Sequence, residues 1–167
     1  MKKYIVTVLA VVLALSLVFL GSSYSQATAK ETKIMEFSTM VGVPRPYTGV
    51  ANAIRGVPGG GLPWAIGSAS GELKASGKLE ITVRGLVLAE GANTGKNPIP
   101  NFRAIVSCLS KDANGNPTTA NVSTGLFPAD LAGNAEIEAT LGLPSPCIAP
   151  IIFVTSPTGS WFAATGQ

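Results

Sequence analysis

The sequence predicts an all-β protein: an antiparallel β-sandwich of about seven or eight strands, with a small β-barrel as the alternative, preceded by a helical signal peptide. Three observations carry this reading. Apolar and polar residues alternate at period two in several short runs. Clusters of glycine, proline, asparagine and aspartate separate those runs. Outside the N-terminal apolar stretch, no run shows the spacing of an amphipathic helix.

The N-terminal segment, residues 1–29, reads as an export signal. Lys2 and Lys3 form a positive start, Tyr4 to Leu20 is an apolar run, and Ala27-Thr28-Ala29 matches the small-x-small pattern of signal peptidases. A cut after Ser25 is the neighbouring alternative. The competing reading is an uncleaved anchor, for which the run falls short of the roughly 20 residues that span a bilayer. It is also the only membrane contact expected. No cysteine lies near the cut, which disfavours a lipoprotein.

Removal of this segment leaves residues 30–167 as a single domain, long enough to bury a proper core. The precursor has 12 basic and 9 acidic residues, a net charge of +3. Without Lys2 and Lys3, ten basic residues face nine acidic ones, so the basic character belongs largely to the signal. No nucleic-acid partner is expected from such a balance.

The elements follow in order. "KIMEFSTM" is a first strand. "GSASGELK" and "GKLEITVRGLVL" form a hairpin through Ala75, Ser76 and Gly77, with Leu79, Ile81 and Val83 on one face and Glu80, Thr82 and Arg84 on the other. "FRAIVSCLS" places Phe102, Ala104, Val106 and Cys108 on one face. "KDANGNP" contains the tight-turn pair Asn114-Gly115 and leads into "TTANVSTG". "NAEIEATLGL", "IIFVTS" and "WFAATG" complete the set, divided by turns at 128–133, 144–146 and 156–159. No internal repeat is evident. Residues 41–63 form the longest irregular stretch, and long loops often carry function.

Two cysteines, Cys108 and Cys147, both lie in the exported part and are expected to form a disulfide. Asn121-Val122-Ser123 is a formal glycosylation sequon.

The chemical motifs are incomplete. "IRGVPGGGLPWAIG" from Ile54 to Gly67 offers Gly59 and Gly61 to a dinucleotide fingerprint, but Trp64 occupies the third glycine's place and a strand follows. In "GANTGKN" the glycines are too close for a P-loop, and Asn97 replaces the magnesium-binding hydroxyl. Both stretches read as inter-strand loops. The sequence has no histidine, and "GSASG" has alanine at the nucleophile's position. Glu136 and Glu138 share a strand face, as solvated carboxylates often do; a hydrolase is the third-ranked reading. Asp112, Asn114 and Asn116 alternate oxygen ligands but break the EF-hand pattern at Gly115 and Pro117, so no metal and no cofactor is expected. Trp64, Trp161 and Tyr47 remain as binding candidates, with Trp64 also read as a residue of the core edge.

"NAEIEATLGLPSPCIAPIIFVTSPTGSWFAATG" together with "IPNFRAIVSCLS" resembles small secreted bacterial all-β proteins of uncharacterised function. The resemblance implies export and an all-β domain, and no activity. The leading expectation is therefore a non-catalytic module, secreted or held in the cell envelope, that contacts an extracellular protein or glycan. The alternative is a small-molecule or glycan binder using the 41–64 loop as its lip.

Overall fold

The computed structural model describes residues 31–165; the expected signal peptide lies outside them. The chain forms β1 (Lys33–Phe37), β2 (Val41–Gly42), a 3-10 turn (Arg45–Tyr47), β3 (Trp64–Ala65), β4 (Ser68–Lys74), β5 (Lys78–Arg84) and β6 (Val87–Leu88). It continues with β7 (Asn101–Lys111), β8 (Pro117–Ser123), β9 (Phe127–Pro128), β10 (Ala135–Thr140), β11 (Ile148–Thr155) and β12 (Trp161–Ala164). The eight strands of four residues or more are those the alternation predicts. The two-residue strands β2, β3, β6 and β9 carry too little pattern to be seen in the sequence.

Two antiparallel sheets face each other as an open sandwich. One has the order β1-β4-β5-β10; the other runs β2-β12-β11-β7-β8, with β9 also pairing β7. A short β3-β6 ladder stands apart. The period-two pattern sets the facing. Leu79, Ile81 and Val83 of β5 are buried and register with Ala139, Ile137 and Ala135 of β10. From the opposite sheet, Phe102, Ala104, Val106 and Cys108 of β7 enter the same core, all fully buried. Trp64 stacks on Phe162 with ring centroids 3.9 Å apart and meets Phe102 edge-on at 6.4 Å.

One five-residue turn recurs four times, at "KASGK", "DANGN", "DLAGN" and "SPTGS". In each, the glycine N–H donates to the carbonyl of the first residue: Gly77 to Lys74, Gly115 to Asp112, Gly133 to Asp130 and Gly159 to Ser156. The four glycines have φ of 88°, 84°, 76° and 96°, the left-handed step that follows a type I turn in a bulged hairpin. In three of the turns the first side chain accepts from the fifth residue's N–H: Asp112 from Asn116, Asp130 from Asn134, and Ser156 from Ser160. A side-chain acceptor and a left-handed glycine thus close successive strands.

The cysteines are bonded, Cys108 to Cys147, with Cα atoms 4.9 Å apart. The bridge ties the irregular segment before β11 to the middle of β7. It closes a loop of 39 residues, and in the chain-entropy account this stabilises the fold by about 4 kcal/mol. The paired replacement Cys108→Ala/Cys147→Ala is expected to lower denaturant-measured stability by about that amount. Trp64→Ala, which empties the centre of the aromatic stack, is expected to cost about 3–5 kcal/mol in the same measurement.

Candidate functional site

The three aromatic candidates separate once placed in the fold. Trp64 is 5% exposed and Trp161 is 3% exposed, so neither presents a face to a ligand. Tyr47 is 42% exposed, with its ring 6.4 Å from that of Trp161. The structure brings Tyr47 and Trp161 together and sends Trp64 to the opposite side of the sheet, into the main core.

The reason lies in the 41–63 segment, which after β2 turns at Arg45–Tyr47 and packs as a third layer on the outer face of the six-stranded sheet. Trp161 N–H donates to the Pro58 carbonyl, and Gly60 N–H donates to the Trp161 carbonyl. Gly59 therefore makes a parallel bridge with Trp161. A Cβ on Gly59 would lie 1.9 Å from the Tyr47 carbonyl oxygen, so the first glycine of the triplet is required by close backbone approach. Proline at 58 is compatible because the bridge uses only its carbonyl. The triplet was expected to be a plain loop between strands; it forms part of the sheet's margin.

Ile54, Arg55, Gly56 and Val57 close a two-residue turn, with Ile54 and Val57 exchanging backbone hydrogen bonds of 3.1 and 2.9 Å. Arg55 has φ of 49° and Gly56 of 79°, both left-handed as the tightest hairpin turns demand. The arginine is held there by its tip. Its Nη1 donates to the Ser107 carbonyl at 3.0 Å and the Ala149 carbonyl at 2.8 Å, and its own carbonyl accepts from Asn121 Nδ2 at 3.0 Å. The Asn121 side chain of the sequon thus pins the third layer to β8. Nothing in the sequence marks Arg55, because Asn-Gly rather than Arg-Gly is the usual signal for this turn.

The other motif look-alikes have structural partners as well. Asn97 is buried, its Nδ2 donating to the Ile99 and Asp130 carbonyls and its Oδ1 accepting from Ile99 N–H. Asp112 Oδ1 accepts from the N–H groups of Asn114 and Asn116, which holds its carboxyl below the usual range, the Asn116 bond being the main cause. Among the described residues, no group of three or more acidic, histidine or cysteine side chains is arranged to hold a metal ion.

The outer face of the four-stranded sheet carries an ordered array of charges. The register sets Glu36 opposite Glu72, Glu72 opposite Glu80, and Glu80 opposite Glu138, a row of four carboxylates across four strands. Like charges directly opposite repel. Three lysines from the neighbouring row compensate. Lys33 bridges Glu36 at 2.8 Å and Glu72 at 3.0 Å, Lys74 bridges Glu72 at 3.2 Å and Glu31 at 3.4 Å, and Lys78 bridges Glu80 at 2.5 Å and Glu138 at 3.6 Å. Five carboxylates thus share three lysines, which leaves the face acidic. A trough of about 670 Å³ runs beside the row, with Thr82 and Glu136 on its far side.

Two of the carboxylates on this face, Glu72 and Glu136, are held in their charged form by their neighbours. The Lys33 ammonium holds Glu72 below the usual carboxylate range, and hydrogen bonds from Thr82 and then Arg84 do the same for Glu136. A general acid needs the opposite shift. The lysines move upward, Lys33 through Glu36, Lys74 through Glu72 and Lys78 through Glu80.

Comparison with family models, curated proteins and solved structures finds no match to this chain.

Two expectations follow. Lowered carboxylates stabilise the fold above their ordinary pKa of 4.5, and that stability is lost as pH falls through the depressed folded values; raised lysines stabilise it below 10.5 and cease to do so above that. The thermal midpoint should therefore decline at both ends of a pH series, below 4.5 and above 10.5. Arg55→Ala should cost about 2 kcal/mol in urea unfolding, through the loss of charged hydrogen bonds to backbone carbonyls. Asn121→Ala should cost about 1 kcal/mol.

Proposed function

We propose that the chain is a non-catalytic, exported β-sandwich acting as an interaction module at the cell surface or in the extracellular matrix, with the outer face of the four-stranded sheet as its contact surface. The observation that carries this is the ordered carboxylate row, which lies in the open while Trp64, Trp161 and Gly59 are built into the fold. Such a face fits a partner bearing exposed lysine or arginine side chains. Export is supported by the signal-like N-terminus and is compatible with a disulfide, which persists in oxidising compartments. The resemblance to small secreted bacterial proteins belongs to the same reading.

The test is retention of the exported protein on envelope or matrix fractions of its native host. Unmodified protein should be retained in low salt and released as salt screens the surface charges. Glu36→Gln/Glu138→Gln should weaken retention several-fold with an unchanged circular dichroism spectrum. Retention indifferent to both salt and these substitutions would overturn the assignment of the surface. Glycan hydrolysis abolished by Glu136→Gln would replace the reading with an enzymatic one.

A further inference from the structure

Among the described residues no strand pairs the outer edge of β8, and this edge differs from the other sheet margins. β1 carries Lys33 and Glu36, β10 carries Glu136 and Glu138, and β2 is only two residues long. Charges and shortness are the usual protection of an edge against pairing with another chain. β8, "PTTANVS", has seven residues and no charge.

Its hydrogen-bonding groups can be assigned from the ladder. β7 and β8 pair in unbroken register from Ile105–Ser123 to Lys111–Pro117. Just beyond the two ends, Thr124 N–H donates to the Ala104 carbonyl and Asp112 N–H to the Asn116 carbonyl. Antiparallel strands alternate bonded and non-bonded pairs, so Thr118, Ala120 and Val122 bond inward to β7. Thr119, Asn121 and Ser123 therefore direct their backbone N–H and C=O groups away from the sheet. All three residues are exposed. Beside this edge, Thr119 registers with Leu109 and Leu109 with Ile148, two large apolar residues at 42% and 55% exposure.

We propose that β8 is a strand-addition edge and that its occupant is a second copy of this chain, paired antiparallel about a two-fold axis at Asn121. In that register Thr119 of one copy faces Ser123 of the other, and Asn121 faces Asn121. All three free N–H groups find carbonyls, and Pro117, which has no N–H, falls outside the bonded pairs. Self-pairing is favoured by the absence of charge: an antiparallel copy of β10 would risk opposing glutamates, whereas threonine, asparagine and serine meet without repulsion. The two six-stranded sheets join into one, and the apolar Ile148–Leu109 rows flank the seam on both sides. This surface is separate from the carboxylate row, so the proposal does not depend on the function proposed above.

The experiment combines sedimentation equilibrium with residue-resolved amide exchange on the exported protein across a concentration series. The expected result is a monomer–dimer equilibrium in which Thr119, Asn121 and Ser123 amides become protected as the dimer forms. Thr118, Ala120 and Val122 should stay protected throughout. Thr119→Lys/Ser123→Lys places like charges opposite each other across the seam and should give a monomer at every concentration, with a thermal midpoint equal to that of the dilute, monomeric parent protein confirming the fold. A second variant, Thr119→Pro, deletes an outward-facing N–H and should also shift the equilibrium to monomer. A protein that stays monomeric at millimolar concentration, a dimer untouched by the double lysine variant, or protection of the three amides only on adding a foreign extended peptide would each overturn the proposal.

Discussion

Burial of both faces of β7 is the constraint from which the rest of the architecture follows. One face carries Phe102, Ala104, Val106 and Cys108 into the inter-sheet core. The other carries Ile105 and Ser107, which are also buried, opposite Phe153 and Ile151 on β11. A two-layer sandwich covers only the first of these faces. The second needs its own cover, and the 41–63 segment supplies it where the Arg55 guanidinium reaches the Ser107 carbonyl and Tyr47 packs against Trp161 of β12. A long segment rich in glycine and proline therefore becomes a layer of the fold.

This accounts for the fate of the glycine-rich stretch. Its backbone must run within hydrogen-bonding reach of β12 on one side and pass against the Tyr47 carbonyl on the other. A Cβ at Gly59 would collide with that carbonyl, and one at Gly60 would press on the Phe162 ring at 3.0 Å. Glycine here serves close approach, and Trp64 beyond it anchors the chain's return into the main core. Flexible-looking composition produces a pinned segment because the sheet supplies partners for its peptide groups.

The charge pattern of the opposite sheet has a related origin. Each strand alternates by itself in an ordinary way, and only the pairing register stacks one glutamate per strand into a row. The neighbouring lysines relieve the repulsion, so the row is part of an ion-pair network that orders the surface while leaving it acidic. Exposed pairs of this kind add little stability individually.

The sequence by itself determined what depends on neighbours along the chain. Period-two alternation set which faces of β5 and β10 are buried, left-handed glycines set the hairpins, and two cysteines in an exported-looking chain pointed to their bond. Tertiary structure decided what depends on distant partners. The carboxylate row arises from register between four strands, and the role of Arg55 from carbonyls of Ser107 and Ala149, 52 and 94 residues away. Burial of Trp161 requires a layer contributed by residues 41–63, and the open edge of β8 is defined by the absence of a neighbouring strand among the described residues. Periodicity reports the side on which a residue lies; it carries no information about which segment will lie across from it.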